Sequence, residues 1–139
     1  MNIDEALFTH LSTTAGITAL VGTRIYPIVM PPGVALPAIS LQKISMERTH
    51  AFRQDAAITR ASFQISSWAK TDAVKKGYAH AQACAAAVRA ALQNYSGTMG
   101  GIGGIVVDAV LIENEMDDYD SASETYVVHQ DFEIWFQEV

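Results

Sequence analysis

Apolar positions along this chain switch between helical and strand spacing, and each switch predicts an element. Ile3, Leu7, Phe8 and Leu11 fall on one helical face, with Asn2 placed to cap the helix and Glu5 three residues on as its reciprocal partner. Ser12, Thr13, Thr14 and Gly16 end it, and a short apolar turn over 17–21 stops at Gly22. Residues 24–30 read as extended, and Pro31, Pro32, Gly33 and Pro37 stiffen the loop that follows. Residues 38–46 read as a strand whose apolar positions shift parity between Leu41 and Ile44, which predicts a bulge. Residues 58–69 read as its partner, with Ala61, Phe63 and Ile65 on one face. Between them the polar stretch 47–57 is long for a hairpin loop and carries Arg48, His50, Arg53, Gln54 and Asp55; it is expected to protrude as an arm.

Thr71 is expected to cap a long helix, with Asp72 in its first turn. Val74, Tyr78, Ala81, Ala85, Val88 and Leu92 repeat at spacings of 4, 3, 4, 3 and 4, the mark of one buried stripe. Eight of the thirteen residues 79–91 are alanine, which lets a helix backbone approach a sheet closely. After a Gly-rich loop at 96–104 comes a strand at 105–114 with apolar residues on both parities, expected to be central and covered on both sides. An acidic turn at 116–123 leads to the clearest strand, 125–137. There Tyr126, Val128, Phe132, Ile134 and Phe136 share one face; His129, Asp131, Glu133 and Gln137 share the other with Val127 and Trp135. These elements predict an α+β fold: a four-stranded, mainly antiparallel sheet of two hairpins, with an N-terminal helix and one long Ala-rich helix packed on it.

Composition narrows the class. The chain has 139 residues, half of them hydrophobic and 17% charged, which fits one globular domain over 1–139. No apolar run approaches the ~18 residues needed to cross a bilayer, and the start is acidic where a secretory signal would be basic. A soluble protein made in a reducing cytoplasm is expected, with no membrane partner. Cys84 is the single cysteine, so no internal disulfide is possible, and its place in the Ala-rich helix makes it a packing residue. Net charge is −6 but unevenly spread: residues 1–89 hold all 9 Lys and Arg against 5 acids, whereas 90–139 hold 10 acids and no Lys or Arg. That split argues against a uniformly basic nucleic-acid binder and suits self-assembly, one half of a subunit attracting the other half of its neighbour.

Candidate chemistry is sparse. His10, His50, His80 and His129 show no metal-ligand spacing, and no serine is framed as G-x-S-x-G. Gly100, Gly101, Gly103 and Gly104 follow a helix and enter a strand, the wrong order for a phosphate cradle. Glu113, Glu115, Asp117, Asp118 and Asp120 form the densest acidic cluster. An EF-hand-type loop needs Gly at its sixth position and a bidentate acid at its twelfth. Counted from Asp118 these are Ser123 and His129, and from Asp117 they are Ala122 and Val128, so neither register fits. No catalytic, cofactor or metal residue is therefore expected. Trp68 and Trp135 fall near strand ends, against the parity of the main apolar faces. They are candidates for contacts beyond the sheet's own core, or for packing against the first helix or the proline loop.

The residues Gly16-Ile17-Thr18-Ala19-Leu20-Val21-Gly22, then Arg24-Ile25-Tyr26-Pro27, Pro31 and Leu36-Pro37-Ala38-Ile39 resemble the opening of the tail completion family of long-tailed bacteriophages, also described as tail terminators or tail-to-head joining proteins. Phe63-Gln64-Ile65 with Trp68-Ala69 resembles its second strand; Glu113-Asn114-Glu115, Asp118-Tyr119-Asp120, Tyr126 and Asp131 to Trp135 resemble its ending. The pattern departs at Ser66 and Ser67, where many relatives carry an acid before the tryptophan. The resemblance implies a structural virion protein from a phage or prophage, with no enzymatic activity and no cofactor. It implies a ring, commonly a hexamer, at the head-proximal end of the tail tube. Such a ring ends tube polymerisation, contacts the major tail tube protein and the head connector or neck protein, and encircles a channel through which DNA passes without specific binding. On that reading Arg48, His50 and Arg53 of the arm would meet Asp117, Asp118 and Asp120 of a neighbour, with Trp68 and Trp135 as further interface candidates. Two other readings of the residues are a small metal-dependent hydrolase using the acids between Glu113 and Asp120, and a regulatory ligand-binding module.

Overall fold

Side-chain capping starts the first helix, α1 (Ile3–Thr13): Asn2 Oδ1 accepts a 2.8 Å bond from the Glu5 backbone N–H, and Asn2 Nδ2 donates to Glu5 Oε1 at 3.4 Å. In the computed structural model, residues 1–50, 55–72 and 76–138 are described, with the side chains at 49, 50 and 55–57 left outside that description. Ile3, Ala6, Leu7 and Leu11 turn inward; Phe8 does not share that face and stays 38% exposed. A second helix, α2 (Ala15–Val21), ends at Gly22, whose φ of 59° is one that glycine adopts without strain.

The sheet has six strands, not four. They are β1 (Ile25–Pro27), β2 (Ala38–His50), β3 (Asp55–Ala69), β4 (Gly97–Met99), β5 (Ile105–Asp120) and β6 (Thr125–Gln137), with the long helix α3 (Gly77–Leu92) between β3 and β4. Their lateral order is β1-β2-β3-β6-β5-β4. The two additions are three-residue edge strands: β1 runs parallel to β2, and β4 pairs antiparallel with the start of β5. The four long strands are the two expected hairpins, joined along β3 and β6 from Ile58↔Gln137 to Ala69↔Tyr126.

Both hairpins are longer than their apolar patterns. β2 and β3 stay paired to His50↔Asp55, so most of the stretch expected as a loop is ladder, with Glu47 facing Arg60 as an ion pair across it. The parity shift in β2 is a bulge between Lys43 and Ser45; Ile44 is 57% exposed there, and Met46 returns to the helix side opposite Ala61. β5 likewise continues through most of the expected acidic turn, because β6 offers it a partner as far as Asp120↔Thr125. The turn is confined to 121–124, where Asp120 accepts from Ala122 N–H (3.1 Å) and Ser123 Oγ (2.9 Å).

Helices cover one face of the sheet. Its core contains Phe63 opposite Phe132, Ala61 opposite Ile134 and Leu41 opposite Ile65, with Val107, Val110 and Phe136 beside them and Leu7, Leu11, Ile17, Val88 and Leu92 above. Cys84 is buried in that core. α3 begins later than expected. Thr71 does reach the helix start, its Oγ1 accepting from the Gly77 N–H at 2.9 Å, but from six residues upstream. Gly77 is required at that spot: a Cβ there would lie 2.7 Å from both the Thr71 nitrogen and the Tyr126 ring. Val74 lies outside the described residues. Ala81, Ala85, Val88 and Leu92 are buried as expected, while Tyr78 points outward, 45% exposed. β5 is covered on one face only: Val107 and Val110 are buried, but Val106 and Leu111 are more than two-fifths exposed. Both its parities are apolar, yet the helices lie on a single side.

Candidate assembly surfaces

Strand alternation places two sets of side chains on opposite faces. The face away from the helices has no helix or strand over it among the described residues; at its Trp68 end the proline loop flanks it, with Met30, Pro31, Val34 and Leu36 lining a cavity together with Trp68, Asp120 and Thr125. Its rows run Ala38–Trp68–Val127–Asp118, Ser40–Ser66–His129–Met116, Gln42–Gln64–Asp131–Asn114, Ser45–Ser62–Glu133–Leu111 and Glu47–Arg60–Trp135–Ala109. Trp68 and Trp135 therefore lie on this open face, both half-buried, at its two ends. The first helix packs on the other side of the sheet. Trp68 Nε1 donates to Ser40 Oγ at 2.9 Å and its ring stands edge-on to His129, 6.1 Å between centroids. His129 Nδ1 lies 2.7 Å from Ser66 Oγ. The pair Ser66 and Ser67 thus splits by parity: Ser66 serves this polar network, and Ser67 is buried on the helix side.

Among the described residues of the open face, Glu47, Asp118, Asp120, Asp131 and Glu133 face a single Arg, Arg60. Arg60 lies between Glu47 and Glu133, 3.6 Å from the latter. The neighbouring Glu113 carboxyl is held above its ordinary value, first by loss of surrounding water, then by a hydrogen bond to Glu133 and repulsion from its charge. Residue-by-residue sequence reading did not single out this carboxylate pair, because the bulge between Ile112 and Asn114 brings it about.

The predicted interface residues divide between the two ends of the sheet. Arg48, in the last described turns of the β2–β3 ladder, forks onto Glu138 through two bonds of 2.6 and 3.0 Å. The His50 side chain and the whole of Arg53 lie outside the described residues. Asp117, Asp118 and Asp120 sit at the far end, on β5. Asp117 accepts from Tyr78 Oη at 2.9 Å, a bond that holds the phenol above its ordinary value; Asp118 accepts from the Tyr119 N–H; Asp120 holds the turn. Thr59, the partner of Arg48, and Ser67, in the row of Asp117, lie eight residues apart along β3, a span of roughly 26 Å at strand rise. Among the described residues, Arg48 does not meet Asp117, Asp118 or Asp120 within one chain.

Two features escaped the sequence patterns. Gln130, buried beneath α3, donates to the Ala85 carbonyl (3.0 Å) and Glu115 Oε1 (2.8 Å), fastening helix to sheet. A groove of about 710 Å³ lies between α1 and the β1–β2 edge, lined by Met1, Phe8, Ile25, Ile28 and Leu41 with Lys43 bonded to Asp4 at its rim. Among the described residues, no three His, Cys, Asp or Glu side chains converge to hold a metal ion.

The model of the family "Tail completion protein gp17" matches residues 5–137, nearly the whole chain. The chain belongs to the tail completion family. It is a structural phage tail protein with a place in the virion. The resemblance carried by the Gly and Pro punctuation is thus the correct one, and family membership lends nothing to the hydrolase or ligand-module readings. Among solved structures, the fold is similar to a chain from "Virion of native gene transfer agent (GTA) particle", with a TM-score of 0.77 and 23% identity over 98% of this chain and 95% of that one. No curated protein matches the chain.

Proposed function

We propose that this tail completion protein closes into a ring, a hexamer, at the head-proximal end of the tail tube, where it stops tube polymerisation and presents a surface to the head connector or neck protein. The observation that carries this reading is that Arg48 lies towards one end of the sheet and Asp117, Asp118 and Asp120 towards the other. Arg48 at the ladder end and Asp117, Asp118 and Asp120 at the other lie too far apart to meet in one chain; His50 and Arg53 are proposed to act with Arg48. The basic and acidic sets are complementary between chains. Contacts of unlike patches generate a rotationally closed ring when the rotation closes. Arg48 already has Glu138 as a partner, so a neighbour's acids add to an occupied site. Exposed pairs contribute at most ~1 kcal/mol each and set register more than affinity. Trp68 and Trp135 supply apolar area beside these ends.

The open face suits the channel wall. Among its described residues the acids outnumber the one arginine, Arg60. Phosphates are repelled by such a surface, and lysine or arginine contacts, which would hold DNA in place, are few. DNA therefore slides through without specific binding.

Light scattering on the purified chain, alone and mixed with tubes of its cognate major tail protein, tests the ring. A six-fold mass, or electron micrographs with a ring capping one tube end, supports it. A chain that stays monomeric in both settings, with tubes that keep growing, overturns it.

A further inference from the structure

The sheet ends in two backbone edges that no strand covers among the described residues. On one side β1 pairs only with Ile39, Ser40 and Leu41, so residues 42–50 of β2 carry no further strand. On the other, β4 pairs only with Ile105, Val106 and Val107. The end of α3 then covers the next stretch: Asn94 N–H donates to the Val110 carbonyl at 2.9 Å, and the Ile112 N–H donates to Gln93 Oε1 at 2.8 Å. Residues 113–120 of β5 remain open. Each open run begins at a bulge, between Lys43 and Ser45 and between Ile112 and Asn114. Strand edges of this length with no neighbouring strand are templates for another strand.

We infer that residues 42–50 of one subunit pair antiparallel with residues 113–120 of the next, so that the sheet runs unbroken around the ring. This rests on the ring reading above and says what holds the ring together. Three observations carry it. The first is direction. Across β2, β3, β6 and β5 each long pair is antiparallel, so β2 and β5 point opposite ways and subunits of one orientation continue the alternation. The second is charge. The β5 run holds Glu113, Glu115, Asp117, Asp118 and Asp120 with no basic residue, and the β2 run holds Lys43 and Arg48 against Glu47. The same acidic run repels a second copy of itself, which disfavours a two-fold pair.

The third is stagger. The middle of the β2 run, Met46, lies in the row of Ala61 and Ile134, while the middle of the β5 run, Asp117, lies in the row of Val128. Seating one on the other shifts each subunit by the six residues from Ile134 to Val128 along β6, or about 20 Å, for every four strands of about 19 Å in width. That ratio tilts the strands by about 45°, at the tilt where barrels close. Six subunits then give a barrel about 50 Å across between backbones, wide enough for a double helix. Helices fall outside and the open acidic face inside.

Cysteine pairs test the contact. Ser45, Asn114, Met116 and Asp118 all lie on the open face, and Cys84, the only native cysteine, is buried. Ser45→Cys combined in turn with Asn114→Cys, Met116→Cys or Asp118→Cys samples three registers. Mild oxidation of the ring, free or on tubes, is expected to give a covalent ladder up to the ring size with at least one double variant and none with the single variants. Amide hydrogen exchange in unsubstituted protein is expected to slow at least tenfold at 42–50 and 113–120 on ring formation. A ring that forms with no ladder and no added protection overturns strand pairing and leaves the ring standing. Dimers from Ser45→Cys alone show two-fold pairing and overturn it too. Failure to form any ring removes both proposals.

Discussion

The two faces of one sheet are built from the same strands and differ by a single step of parity. On the helix side, Phe63, Phe132 and Ile134 are fully buried and α3 lies over β6 with an alanine surface. On the open side, the same strands carry Ser62, Asp131 and Glu133, and the large apolar groups are Trp68 and Trp135, both tied to polar neighbours or set at the ends. The first face has a partner within the chain, so its residues answer to packing. The second has no helix or strand over it among the described residues, so its side chains answer less to packing. Packing stability is thereby concentrated on one side of the layer, and substitutions should sort by face.

The largest expected effect is on the helix side. Phe132→Ala should lower the free energy of unfolding by about 3–5 kcal/mol, read from the urea midpoint, and remove assembly with it. A loss below 1 kcal/mol would break the distinction between the faces. At the helix margin, Asn2→Ala removes the side-chain cap of α1 and should cost about 1 kcal/mol, again by urea titration. Trp68→Phe, on the open side, removes the bond to Ser40 and should cost about 0.5–1.5 kcal/mol without altering the monomer's circular dichroism.

Arg48→Glu with Arg53→Glu should change folding by no more than ~1 kcal/mol, yet shift the ring–monomer balance toward monomer in light scattering across a salt series. No shift would show that the ladder end does not face a neighbour's acids. The smallest effect is a slope. Because Glu113 titrates above its ordinary value when folded, the native state binds its proton more readily than the unfolded chain does. Its contribution is present below the unfolded value and is lost as pH rises through the folded one. Glu113→Gln should therefore flatten the decline in stability from pH 4 toward neutrality. An unchanged slope would place the raised carboxyl elsewhere.

Legibility followed how local the determining contact is. The first helix was readable from Asn2 and Glu5, and β6 from its alternation, whose bounds of 125–137 hold to the residue. The bulge in β2 was readable because a parity shift leaves a mark in sequence. Polar ladder was not readable: at Glu47–Arg48 and Met116–Asp120 no apolar alternation announces a strand, and pairing continues there because a partner strand lies alongside. Strands β1 and β4 were not predicted as sheet members because three residues carry too little periodicity; β1 exists by docking on β2 and β4 by docking on β5. The coverage of β5 was misjudged for a related reason. Apolar side chains on both parities state what a strand could bury, whereas the number of layers depends on where the helices go.

The amino-acid sequence by itself determined two of the three helices, α2 being expected only as an apolar turn, the apolar parts of the four long strands, and that positive charge gathers before residue 90 and negative charge after it. Those properties rest on neighbours a few residues apart. Only the tertiary structure decided that Arg48 and the acids Asp117, Asp118 and Asp120 lie apart along the sheet and that, among the described residues, two edges carry no strand and one face no helix. Strand order and helix placement are set by contacts between residues far apart in the chain, and no local period encodes them.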